Sequence, residues 1–167
     1  MGNSSGIAQM RVEELIEAIA GRSLSAGAGA AGAVTLALAA ACASKAAAIS
    51  IKHQPANAAL QRSLDILERI ARFALSGADR DAEAFATLLK EHTLGAVTEL
   101  LREGDRIIRL IDILADTVEK LAPQVEPNMA GDLVATRVLM EAARRIQLNN
   151  SAAAEAQKAR IAPPEGR

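Results

Sequence analysis

The sequence predicts an all-α fold: a single-domain helical bundle of five to six helices around a long Gly/Ala-rich central helix. Three observations predict it. Apolar residues recur at three- and four-residue spacing along most of the chain, and no stretch alternates convincingly as a strand. Aromatic residues are limited to Phe73 and Phe85, too few for a β-sandwich. The third is Ser25–Ile51, SAGAGAAGAVTLALAAACASKAAAISI, a helix-forming run built almost wholly from small residues. With 167 residues the chain is one domain able to bury a core.

The elements follow in order. Residues 1–10 read as a flexible N-terminus, 11–159 as the helical domain and 160–167 as a flexible tail ending in APPEGR. Val12, Leu15, Ile16 and Ile19 form a helical stripe closed by Gly21, with a break at Arg22–Ser25. The Gly/Ala helix then runs to about Lys52. Gly27, Gly29 and Gly32 cluster at its front, where the free N–H groups of a helix start suit an anion and bare backbone permits close approach. Pro55 marks a turn and Asn57 is placed to cap the next helix, whose Leu60, Leu64, Leu67, Ile70 and Ala74 repeat at helical spacing to a stop at Gly77. Asp79 is positioned to cap a further helix from Asp81 to about Glu91. From Leu94 a stripe through Val97, Leu101, Ile108, Ile111, Leu114, Val118 and Leu121 gives a long helix that Gly104 bends or divides. Pro123 and Pro127 bracket a connection, and Asn128 stands as the cap of a last helix carrying Leu133, Leu139, Ala143 and Ile146.

Composition excludes several functions. Lys+Arg 19 against Asp+Glu 20 leaves a net charge of -1, without the basic field of a nucleic-acid binder. The single cysteine, Cys42, reads as a small core residue and excludes an internal disulfide framework, which fits a reducing cytoplasm. His53 and His92 are far apart with no cysteine partner, so no metal site is expected. The apolar run Ala26–Ala43 approaches membrane-spanning length, but it is mostly Ala and Gly, and Lys45 follows it; no membrane association is expected. Contacts between alanines bury little area per residue, so such a central helix needs many close neighbours. A homodimer or higher homo-oligomer is the expected source of some of them.

Several segments stand together in a recognisable order: VEELIEAIAG (Val12–Gly21), SAGAGAAGAVTLALAAACA (Ser25–Ala43), Asp81-Ala82-Glu83-Ala84-Phe85, Asn128-Met129-Ala130-Gly131-Asp132 and Gln147-Leu148-Asn149-Asn150. This order resembles the cyclodeaminase/cyclohydrolase family, which includes the C-terminal domain of formiminotransferase-cyclodeaminase and stand-alone methenyltetrahydrofolate cyclohydrolases. The resemblance implies a helical fold and a cytoplasmic one-carbon folate enzyme, a hydrolase or ammonia-lyase, taking a tetrahydrofolate derivative as substrate and needing no cofactor. It implies catalytic roles for Asp81 and Asp132, and substrate-binding roles for Gly27, Gly29, Lys52 and His53.

The sequence departs from the family where a ligand would be surrounded. The family's Pro-x-Pro-Gly-Gly-Gly-Ser loop is here Leu24-Ser25-Ala26-Gly27-Ala28-Gly29-Ala30, without its prolines, middle glycine and closing serine. A Thr-x-Gly-Lys-Lys-x-Tyr-like stretch is reduced to Ser50-Ile51-Lys52-His53. A non-catalytic interaction protein that kept the helical bundle and lost the site is therefore the alternative reading. Each residue also has a local explanation. Asp81 and Asp132 fall in predicted first turns of helices, where a carboxylate meets the positive end of the dipole, and Lys52 and His53 fall at a helix end that favours cations. Arg137, Arg144 and Arg145 are expected to form surface ion pairs.

Overall fold

Alanine loses no side-chain entropy in a helix, and the Ala-rich run forms the helix the bundle is built around. In the computed structural model, which describes residues 6–21 and 26–162, five α-helices follow one another: α1 (Val12–Ala20), α2 (Ala28–His53), α3 (Ala58–Glu91), α4 (Leu94–Leu121) and α5 (Ala130–Ile161). Short 3-10 turns occupy Ile7–Gln9, Ala122–Gln124 and Pro127–Met129. No strand occurs among the described residues. The expected break at Arg22–Ser25 lies outside the described residues, as do residues 1–5 and 163–167.

Helices α2 to α5 form a four-membered ring in which α2 packs on α3 and α5, and α4 on the same two. The register of α2 against α5 is antiparallel. Lys45 Nζ meets Asp132 Oδ1 at 3.2 Å, Thr136 Oγ1 donates to the Ala39 carbonyl at 3.2 Å, and Gln147 Nε2 donates to the Gly29 carbonyl at 3.0 Å. Ala30, Ala33, Leu36, Ala39, Ala40, Ala43, Ala46 and Ala47 of α2 are fully buried, against Leu60, Leu67, Ile111 and Leu114 of α3 and α4. α2 is long and apolar enough to cross a membrane, with a mean hydropathy of 1.8; here it serves as the core helix.

Four sequence expectations are corrected. Gly77 does not end a helix, and Asp79 caps none, because α3 runs unbroken for 34 residues. Gly77 is buried where α4 crosses, and a Cβ there would stand 2.7 Å from Ile107 Cδ1. The glycine admits a neighbouring helix without breaking its own. Asp79 instead accepts the Ile7 N–H and fastens the Ile7–Gln9 turn to α3, with Ile7 buried. Gly104 does not divide α4, which runs unbroken from Leu94 to Leu121; a Cβ there would reach Ser151 Oγ of α5 at 3.0 Å. Asn128 lies inside the Pro127–Met129 turn, and α5 starts at Ala130 without a side-chain cap. Asn57 does cap α3, accepting from Ala59 N at 3.1 Å and Leu60 N at 3.3 Å.

α1 has the amphipathic pattern, but only part of it is covered among the described residues: Leu15 and Ala18 pack against the core, while Val12 is 73%, Ile16 61% and Ile19 40% exposed. A second apolar face lies outside the α2–α5 pair. The register above puts Leu38 level with Val138, and these residues are 54% and 63% exposed, with Val134 at 57%.

Candidate functional site

The ring of four helices is incomplete at one end. α3 continues ten residues, about 15 Å, beyond Asp81, and α5 about 21 Å beyond Gln147. α2, which lies against both residues, begins only at Ala28. Past that point three helices enclose a second small core of Leu88, Ala96, Val97 and Ala154. Where α2 is missing from the ring there is a cavity of about 230 Å³. Its floor is the α2 start at Gly27, Ala28 and Gly29. Its walls are Phe85 from α3, Leu100 and Leu101 from α4, and Asn150, Ser151 and Gln157 from α5. Apolar surface dominates this lining, as is usual for small-molecule sites.

Asp81 is the charged group in this lining, and the local sequence of α2 explains its position. Helix α2 starts without an acidic residue in its first turn and without a side-chain cap, so its free N–H groups need an acceptor from elsewhere. The Asp81 carboxylate supplies one from α3, accepting the Ala30 N–H. It comes this close because residue 29 is glycine: a Cβ there would occupy the space of both carboxylate oxygens. Gln147, buried to 1% exposure, holds the same turn from the other side through the Gly29 carbonyl. Gly32 leaves room for it, since a Cβ there would stand 2.9 Å from Gln147 Nε2.

Desolvation in this apolar corner pushes the Asp81 carboxyl up from 3.8 to about 6, and the Ala30 hydrogen bond offsets only part of that rise. A carboxyl in that range exchanges protons readily near neutral pH, as proton-transfer groups must. Phe85, one helical turn on from Asp81, presents its ring to the same cavity.

The structure therefore brings Gly27, Gly29 and Asp81 together. It leaves the other sequence-predicted site residues elsewhere. Asp132 sits in the first turn of α5, partly buried and paired with Lys45, about 24 Å further along α2 than Gly29. Lys52 and His53 are exposed in the last turn of α2, at the opposite end of the bundle. The neighbouring Ser50 is buried and structural: its Oγ donates to the Ala46 carbonyl at 2.8 Å and accepts the Glu126 N–H at 2.9 Å. Leu24 and Ser25 of the glycine segment lie outside the described residues. Arg144 pairs with Asp112 and Arg145 with Glu141, as expected of surface arginines.

Two features were given no site role from the sequence. Glu103 is buried between Arg80, at 2.8 Å, and Arg106, an ion-paired cluster on the outer side of the α3–α4 contact. Gln147, Asn150, Ser151, Ala154 and Gln157 form the stripe that α5 turns toward the cavity. The signal for this stripe was present, as polar residues at helical spacing where apolar ones would continue a core face.

Residues 11–104 match the family model described as formiminotransferase-cyclodeaminase. That stretch runs from the residue before α1 to Gly104, on the cavity wall. No curated protein sequence matches the chain. Among solved structures the chain is similar to formiminotetrahydrofolate cyclodeaminase from Thermotoga maritima, at 23% identity and a TM-score of 0.84, over 92% of this chain and 85% of that one. At this identity the likeness carries the fold, and it extends past the family match to the rest of α4 and α5. With more than half of its 167 residues matched, the chain belongs to the formiminotransferase-cyclodeaminase family.

Proposed function

We propose that the chain is a one-carbon folate enzyme of the formiminotetrahydrofolate cyclodeaminase or methenyltetrahydrofolate cyclohydrolase type, acting at the cavity over the α2 start. Family membership supports a folate-related role. The observation that carries the catalytic part is Asp81, a carboxylate held at a helix start in an apolar cavity and titrating near 6. At neutral pH it is mostly ionised. In cyclohydrolysis, water adding to the methenyl carbon must lose a proton, which the carboxylate accepts. In cyclodeamination, N10 attacks the formimino carbon, and the proton it releases must reach the departing ammonia; the same carboxylate takes and returns it. The cavity is smaller than those that enclose drug-sized ligands, roughly 300–1,000 Å³. It would hold the head group of a folate, with the tail directed to solvent. Asp132, Lys52 and His53 then act outside this step. The reaction proposed is cofactor-free and cytoplasmic, with the tetrahydrofolate derivative as substrate.

The test is turnover of methenyltetrahydrofolate and formiminotetrahydrofolate by the purified protein. Saturable turnover, with kcat/KM rising through about pH 6 and abolished in Asp81→Asn, supports the proposal. A folded protein that turns over neither substrate overturns it.

The second reading, an interaction protein that kept the fold, is favoured by the exposed apolar face of α1 and by the missing prolines of the glycine segment. A homodimer fits either reading. Its proposed interface is the outer face of α2 and α5 around Leu38, Val134 and Val138, since a two-fold axis through this patch would set it against its own copy.

A further inference from the structure

The Gly29 carbonyl and the Ala30 N–H belong to one peptide group, since a peptide plane joins the carbonyl of one residue to the amide of the next. Two side chains remote in sequence hold that group at its two ends. Asp81 of α3 accepts from its N–H, and Gln147 of α5 donates Nε2 to its oxygen at 3.0 Å. A carbonyl can only accept, so the Gln147 amide must present its NH2 there and not its oxygen. The chain makes room for both contacts by omitting side chains. A Cβ at Gly29 would take the place of the Asp81 carboxylate, and one at Gly32 would stand 2.9 Å from Gln147 Nε2 and as close to Ile146 Cγ2. Gln147 is buried where α5 meets the Ala-rich face of α2, and an unbranched apolar side chain of similar length would fill the same space. Packing alone calls for no amide here.

We infer that Gln147 is a positioning residue for the Asp81 carboxylate, acting through the Gly29–Ala30 peptide that both side chains hold. Hydrogen bonds in a chain polarise one another. Donation to the Gly29 oxygen draws electron density from the Ala30 nitrogen and makes its N–H a stronger donor to Asp81. It also fixes the plane of a peptide in the first turn of α2, which no side-chain cap of its own holds. Both effects favour the ionised carboxylate. Among the described residues, no titratable side chain of α2, α4 or α5 lines the space around Asp81 to do this instead. On α3 itself, Asp79 is engaged by the Ile7 N–H and Arg80 by Glu103, with Glu83 beside that outer cluster. The action on Asp81 needs no ligand; its part in turnover rests on the folate reading.

The test follows the Asp81 carboxyl carbon by NMR through a pH titration of the full chain without ligand, in wild type and three variants. Gln147→Met keeps the length and removes the donor, and Gln147→Asn keeps an amide but draws it back by one methylene. Thr136→Val removes a second α5-to-α2 hydrogen bond, to the Ala39 carbonyl, about 15 Å further along α2. The Asp81 midpoint is expected to rise by about half a pH unit in both Gln147 variants and to keep its wild-type value in Thr136→Val. An unchanged midpoint in Gln147→Met overturns the inference, and Gln147→Asn decides in the same way if the methionine variant does not fold. An equal rise in Thr136→Val would show a general loosening between α2 and α5 and overturns it too. These outcomes are read on the free protein, so they stand whether or not a folate is turned over. Where turnover is found, the lower limb of the kcat/KM profile is expected to move up with the midpoint in Gln147→Met. A limb that stays while the midpoint moves would take the proton-transfer step away from Asp81, overturning the proposed chemistry and supporting the positioning role alone.

Discussion

The carboxylate of Asp81 occupies the space that a side chain at Gly29 would fill. Glycine at 29 lets an acid from α3 reach the start of α2, and that start, without an acidic residue of its own, needs the acid. Placement in an apolar cavity then makes the same acid reluctant to ionise.

Asp81 therefore leaves a mark on stability as well as on activity. Its folded-state pKa, about 6, lies above the ordinary 3.8. Its stabilising contribution is complete below about pH 3.8 and is lost as pH rises through 6. The difference corresponds to at most about 3 kcal/mol. Asp81→Asn, whose side-chain oxygen can still accept from Ala30, removes this dependence. Urea unfolding at pH 5 and pH 8 is expected to show the variant gaining most over wild type at pH 8. An equal difference at both pH values would show that Asp81 is not desolvated.

Gly77 and Ile107 offer a test of the α3–α4 contact. Alanine is the better helix former by about 1 kcal/mol, yet its Cβ would stand 2.7 Å from Ile107 Cδ1. Gly77→Ala is expected to destabilise by about 1–3 kcal/mol through overpacking, and Ile107→Val, which deletes Cδ1, by about 0.5–1.5 kcal/mol. The double variant is expected to lose at least about 0.5 kcal/mol less than the sum. Additive losses in denaturant titrations would mean that the two side chains do not meet.

The outer face of α2 and α5 makes a separate prediction about assembly. Leu38→Glu and Val138→Glu place a charge in the proposed two-fold interface while leaving the buried core untouched. Analytical ultracentrifugation is expected to find a dimer for wild type and folded monomers for both variants. A wild-type monomer would remove the proposed dimer, and variants that remain dimeric would move its interface elsewhere.

The helices were legible because their apolar spacing is long and regular: the stripes from Leu60 to Ala74 and from Val97 to Leu121 read directly as buried faces. The glycines were harder. At Gly77 and Gly104 a helix-breaking residue sits inside an intact helix, and only the partner side chain, Ile107 or Ser151, explains it. The site was half legible. Asp81 and the glycines stood out by type and order, but the cavity arises because α2 starts later than its neighbours end, a matter of register between distant segments. Asp132 and Lys52 satisfied the same local patterns as a site residue would, and their separation from Gly29 emerges only when α2 and α5 are laid antiparallel.

Calorimetric titration of 5-formyltetrahydrofolate into wild type, Gly29→Ala and Asp132→Asn decides at which end of α2 a folate binds. A Cβ at residue 29 must displace the Asp81 carboxylate, whereas Asp132 lies about 24 Å along the bundle. Micromolar binding is expected for wild type, retained in Asp132→Asn and lost in Gly29→Ala. Binding lost in Asp132→Asn and retained in Gly29→Ala would place the folate site at the other end of α2, and no binding by a folded wild type would contradict a folate site altogether.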